Sequence, residues 1–127
     1  MKKTVCFVTP TYNASFHLKD CYASLVEQSN PNWSWVILND MSVDDTLEIA
    51  RDLYKKDELG RVTVINHSEK KFALKGIYDF LDTLEDDTVI AILDGDDALC
   101  NENTVDLILT EYENNKNLDS LWTAHSW

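Results

Sequence analysis

Asp94, Asp96 and Asp97 put three carboxylates within four positions, directly behind the apolar run Val89-Ile90-Ala91-Ile92-Leu93. Like charges packed this closely repel unless something positive lies among them. A divalent cation is the simplest such partner, since ionised carboxylates only accept hydrogen bonds and hard cations prefer oxygen ligands. The apolar run is too short for a buried helix and reads as a strand buried on both faces. Gly95 permits a tight backbone where that strand emerges. A merely solvated turn explains the cluster less well, because a turn does not need three acids behind a buried strand. An EF-hand loop is excluded: counted from Asp94, the fifth, sixth and twelfth residues are Ala98, Leu99 and Val105, where such a loop needs ligands and a glycine.

The elements that position this cluster follow from the apolar pattern. Thr4 to Thr9 reads as a first strand through Val5, Cys6, Phe7 and Val8, ended by Pro10 and followed by the loop Thr11-Tyr12-Asn13. A helix is expected from about Phe16 to Gln28, and a second strand from Trp35 to Leu38, ending at Asn39-Asp40. Ser42 with Asp45 resembles a capping arrangement for the next helix, striped by Leu47, Ala50, Leu53 and Tyr54 and followed by Gly60. Val62 to Ile65 is a third strand, Phe72 to Leu84 a third helix, and Asn103 to Tyr112 a fourth. A polar linker from Glu113 to Asn117 precedes a fifth strand expected at Ser120 to Ala124. Strands alternating with helices predict an α/β fold with a mainly parallel sheet and helices on both faces. In such sheets ligands bind beyond the carboxyl ends of the strands. Three strand ends carry polar loops here, at Thr9 to Asn13, Asn39 to Asp45 and Asp94 to Asp97, and the third strand leads to Asn66-His67-Ser68 and the pair Lys70-Lys71.

With 127 residues the chain has the size of one domain. Its 23 acidic against 11 basic residues give a net charge of −12, which argues against nucleic acid or an anionic membrane surface as partner. An anionic substrate would need a metal, backbone amides or a few placed lysines. Cys6, Cys21 and Cys100 are odd in number and in no metal-ligand spacing, as expected of thiols in a reducing, cytoplasmic setting. The Met1-Lys2-Lys3 start is followed by an apolar run that stops at Thr9-Pro10, too short for a signal peptide. No stretch approaches the length of a transmembrane segment.

Taken together, these residues resemble the nucleotide-binding half of a GT-A glycosyltransferase of family 2. Pro10-Thr11-Tyr12-Asn13 matches the segment that ends the family's first strand. Asn39-Asp40-Met41-Ser42-Val43-Asp44-Asp45-Thr46 matches the Asp-Asp-Gly-Ser-x-Asp-x-Thr segment after the second, keeping Asp40, Ser42, Asp44 and Thr46 but losing the first acid and the glycine. Asp94-Gly95-Asp96 matches the Asp-x-Asp metal motif. The resemblance runs from the first strand to about Tyr112. It implies a Rossmann-like GT-A fold, a nucleotide-diphospho-sugar donor with uridine the common nucleoside, and Mn²⁺ or Mg²⁺. It also implies that Asp96 ligates the metal, that Asp94 holds the ribose or a metal-bound water, and that Asp40 accepts from the base. Thr9, Pro10, Thr11, Tyr12 and Gly95 would complete the donor pocket. Lys75, and less strongly the pair Lys70-Lys71, would contact the diphosphate. Transfer to an acceptor hydroxyl would proceed by single displacement with inversion, in a single domain over residues 1–127 that lacks most of the acceptor-binding half.

Other readings compete with this one. A non-catalytic nucleotide-sugar-binding module shares every feature above. A haloacid dehalogenase-type phosphatase needs its Asp-x-Asp near the start of the domain and a Thr or Val where Ala98 stands. A response-regulator receiver needs an acid pair after its first strand, and Thr9 to Asn13 has none. His17, His67 and His125 are isolated in sequence and are assigned to no metal, while Trp33, Trp35, Trp122 and Trp127 read as packing residues.

Overall fold

The computed structural model describes residues 4–81, 88–93, 98–99 and 101–114. Four parallel strands, β1 (Thr4–Thr11), β2 (Trp33–Asn39), β3 (Val62–Asn66) and β4 (Thr88–Ile92), form one sheet in the order β3-β2-β1-β4. Helices α1 (Leu18–Val26), α2 (Thr46–Lys56), α3 (Phe72–Leu81) and α4 (Thr104–Asn114) connect and follow them. The chain steps outward from β1 to β3 and then returns to the other side of β1, so the strand order reverses between β1 and β4. That is where an open α/β sheet leaves a crevice.

Alternation along β1 divides the core. Val5 and Phe7 join Leu18, Leu25, Trp35, Leu53 and Val105 in the larger cluster, placing α1, α2 and α4 on one face. Cys6 and Val8 join Val36 and Leu38 on the other, where Ile77 and Phe80 of α3 cover them. Both faces are covered over β1 and β2, and this is why their sequences are continuous apolar runs rather than alternating ones. At the amino end of the sheet Asp57 ties three elements together. It accepts from the Tyr22 hydroxyl at 3.0 Å and pairs with Arg61 at 2.9 Å, and that guanidinium lies 3.9 Å from the centre of the Trp33 ring.

Several expectations are corrected. β4 is not buried on both faces: Ile90 is 37% and Ile92 52% exposed. They pair with Cys6 and Val8 and so lie on the α3 side, beyond what α3 covers. Pro10 does not end β1, which runs to Thr11 with Pro10 opposite Leu38. The carbonyl of Val8 accepts from Leu93 on the β4 side, and Pro10, two residues on, faces that same side past the end of β4, so its missing N–H costs no ladder bond. α1 begins at Leu18, and Phe16 ahead of it is 91% exposed. The α2 capping box does not form. Asp45 makes no side-chain cap, Ser42 instead accepts from the Asn13 N–H, and Asp44 accepts from the N–H and hydroxyl of Thr46. β2 starts two residues before the expected Trp35. The expected fifth strand, Cys100, Trp122, His125, Trp127 and the end of the third helix beyond Leu81 lie outside the described residues.

Candidate functional site

A cleft of ≈ 410 Å³ opens at the carboxyl ends of β1 and β2, lined by Pro10, Thr11, Tyr12, Asp40, Lys70 and Phe72. Asp40 is its anchor. Its carboxylate is buried, yet four donors converge on it: the Lys71 N–H at 2.7 Å and His67 Nδ1 at 3.1 Å on Oδ1, the Phe72 N–H at 2.8 Å and the Lys70 ammonium at 3.4 Å on Oδ2. Burial alone would push this carboxyl up. The Lys71 N–H, the His67 ring, the Phe72 N–H and Lys70 outweigh it and hold the group at about 2. One side chain at the end of β2 therefore shapes the whole segment from His67 to Phe72, and it does so as an anion.

The loop after β1 is fixed by Asn13. Its backbone adopts φ 55°, its N–H donates to the Ser42 hydroxyl at 2.9 Å, and its Oδ1 accepts from the Val43 N–H at 2.9 Å. The next N–H, of Ala14, donates to the Thr46 hydroxyl at 2.9 Å. These bonds join the first two strand-end loops and leave Tyr12 55% exposed at the cleft. Thr11 is buried and donates its hydroxyl to the Leu38 carbonyl at 3.1 Å, fastening β1 to β2 under the cleft floor. Thr9 turns into the core, where its hydroxyl accepts from Trp35 Nε1 at 2.7 Å.

Of the residues expected to bind a donor, Pro10, Thr11, Tyr12 and Asp40 come together at the cleft, and Thr9 lies beneath it. Lys75 stands apart on α3, with its ammonium 3.4 Å from Asp79. Asp94, Gly95, Asp96 and Asp97 lie outside the described residues. The strand that delivers them, however, ends beside the cleft, since the Leu93 N–H donates to the Val8 carbonyl at 3.0 Å. Among the described residues no group of His, Cys, Asp or Glu side chains could by itself hold a metal.

Two participants, His67 and Phe72, escaped the sequence, and a third, Lys70, was ranked there below Lys75. His67 is not isolated: it is a buried partner of Asp40, and Gly76 makes room for it, because a Cβ at 76 would lie 2.9 Å from His67 Cε1. Lys70 lines the cleft, and its ammonium sits 3.3 Å from the centre of the Tyr12 ring. Phe72 carries φ 60°, rare for a non-glycine residue, and is 68% exposed. The available signal was the Lys70-Lys71-Phe72 run behind a strand end, but nothing local told Lys70 from Lys71 or Lys75.

The sequence profile of Glycosyl transferase family 2 matches residues 6–122. The Bacillus subtilis (strain 168) protein TuaG, which bears the name of a teichuronic acid biosynthesis glycosyltransferase, is 33% identical over 96 residues, covering 76% of this chain and 37% of TuaG. Among solved structures, S. aureus TarS 1-349 in complex with UDP-GlcNAc superposes with a TM-score of 0.74 at 20% identity, over 89% of this chain and 32% of that one. A mannosyltransferase from Pyrobaculum calidifontis, PcManGT, in complex with GDP-Man and Mn²⁺, gives 0.69 at 17% identity, over 80% and 30%. The chain thus spans about a third of the length of these relatives, and it shares their Rossmann-like GT-A fold.

Proposed function

Because the chain belongs to Glycosyl transferase family 2, we propose that it forms the donor-binding part of a glycosyltransferase that moves a sugar from a nucleotide-diphospho-sugar to an acceptor hydroxyl. The observation that carries this reading is the cleft at the ends of β1 and β2, where an exposed aromatic ring, Tyr12, stands beside the buried anionic acceptor Asp40 and the ammonium of Lys70. A ring offers a stacking face, a carboxylate accepts a base N–H, and an ammonium favours an anionic ligand. Thr9, Thr11 and Pro10 hold the floor, Lys75 would approach the diphosphate from α3, and Asp94 and Gly95 would meet the ribose. Uridine is the nucleoside proposed, and TarS with bound UDP-GlcNAc supports that choice.

An acidic chain binding an anionic donor also calls for a cation. The oxygen donor set of Asp94 and Asp96 suits Mn²⁺ or Mg²⁺, with Asp96 the direct ligand. Such an ion would supply Lewis-acid neutralisation of the leaving diphosphate. Transfer is proposed to invert the anomeric carbon, a carboxylate base taking the proton of the attacking hydroxyl. A cytoplasmic setting belongs to the same proposal. The phosphatase alternative does not survive the family match.

Incubation with a radiolabelled UDP-sugar and Mn²⁺ tests the reading. Released sugar or a labelled acceptor product is expected. UDP binding with no product over hours would favour the competing reading, a non-catalytic nucleotide-sugar-binding module.

A further inference from the structure

Lys70 contacts three groups that a base stacked on Tyr12 would also need. Its ammonium lies 3.3 Å from the centre of the Tyr12 ring, 3.4 Å from Asp40 Oδ2 and 5.4 Å from the centre of the Phe72 ring, and it donates to the Asp40 carbonyl at 3.0 Å. A planar ligand lying on Tyr12 would sit at about 3.5 Å, the van der Waals separation, which is where the ammonium now is. Asp40 can accept about four hydrogen bonds, and the backbone of Lys71 and Phe72, the His67 ring and Lys70 supply four. Of these, Lys70 makes the longest contact and the only one from a flexible surface side chain. The Phe72 backbone is pinned: its N–H is held on Asp40 at 2.8 Å with φ 60°, a backbone state kept only where the surroundings enforce it. The result is an exposed aromatic residue on a pinned backbone, with its ring centre 5.4 Å from the ammonium.

We propose that Lys70 is a placeholder for the nucleobase: without donor its ammonium fills the slot formed by Tyr12, Phe72 and Asp40, and a base must displace it to stack there, with Phe72 as the second aromatic contact. The inference rests on the reading of this cleft as a nucleotide site. It assigns Lys70 a negative contribution to base binding, the opposite of the usual role of a lysine near a phosphorylated ligand. Phe72 becomes a determinant of base affinity.

The test is uridine affinity, measured by displacement of UDP from the whole chain in the presence of Mn²⁺. Uridine lacks phosphates, so loss of a positive charge has no attraction to remove. Lys70→Ala is expected to bind uridine roughly 3- to 10-fold tighter, the scale of one partly exposed cation–π contact released. Phe72→Ala is expected to bind it roughly 5-fold or more weaker, the scale of one lost stacking contact. A structural role for Lys70 could only weaken binding. If wild type binds UDP but Lys70→Ala gains nothing for uridine, or loses affinity, the placeholder is overturned and the nucleotide site stands. Unchanged uridine affinity in Phe72→Ala overturns its part in the slot. Failure of wild type to bind UDP at all overturns both this inference and the reading beneath it.

Discussion

The backbone N–H of Phe72 donates to Asp40 Oδ2 across 2.8 Å, although the two residues are 32 positions apart in sequence. Together with the Lys71 N–H on Oδ1 at 2.7 Å, this bond starts α3 from the end of β2. Asp40 thus sets the position of Lys70 and Phe72 while standing in the cleft itself. Removing it would leave two backbone donors and the His67 ring facing an empty space, and buried donors without partners are expensive. Asp40→Ala is expected to cost about 3 kcal/mol in urea unfolding, Asp40→Asn about half, since the amide keeps one acceptor oxygen.

The same bonds predict an acid limb. Asp40 is held at about 2 in the folded protein against an ordinary 3.8. A carboxyl lowered by folding stabilises the fold fully above the ordinary value and loses that contribution as pH falls through the folded one. The stability gap between wild type and Asp40→Asn should therefore be constant above about pH 4.5 and narrow as pH drops toward 2. Unfolding curves of both proteins across that range check it. A gap that widens in acid would contradict the sign.

Gly76 offers a test of the buried His67. In an ordinary helix Gly→Ala stabilises by up to about 1 kcal/mol. Here the new Cβ would lie 2.9 Å from His67 Cε1 and 3.6 Å from Leu38 Cδ1. Gly76→Ala is expected to destabilise by about 1–3 kcal/mol by pressing His67 off Asp40. In a His67→Ala background the same change should become neutral or stabilising, and thermal melts of the four proteins measure that coupling.

Thr9 separates support from contact. Its hydroxyl accepts from Trp35 Nε1 at 2.7 Å in the core. Thr9→Val keeps the shape but leaves the indole N–H unpaired, at an expected cost of about 1–3 kcal/mol. UDP affinity at a temperature where the variant is folded should change less than 2-fold, as calorimetry would show.

The α/β order was legible because β1 and β2 are interior strands, and burial on both faces writes an uninterrupted apolar run. The same rule misled at β4, whose Ile90 and Ile92 are apolar although α3 covers the sheet only over its neighbours. Local capping rules failed at Ser42 because Asn13, 29 residues away, supplies the bond it accepts. The site was half legible. Pro10 to Tyr12 and Asp40 could be found at strand ends, where the chain leaves the sheet. The partners of Asp40 could not, since His67, Lys71 and Phe72 reach it only through the pairing of β2 with β3 and the turn into α3. Contacts between residues so far apart leave no periodicity to read.

The central claim, a nucleotide-sugar site completed by a metal at Asp94 and Asp96, is tested most directly by calorimetric titration of UDP with Mn²⁺ present or chelated, on wild type and on Asp96→Ala. Binding with Mn²⁺, lost on chelation and lost in Asp96→Ala, is the expected result. UDP affinity unchanged by both the chelator and the substitution would contradict it.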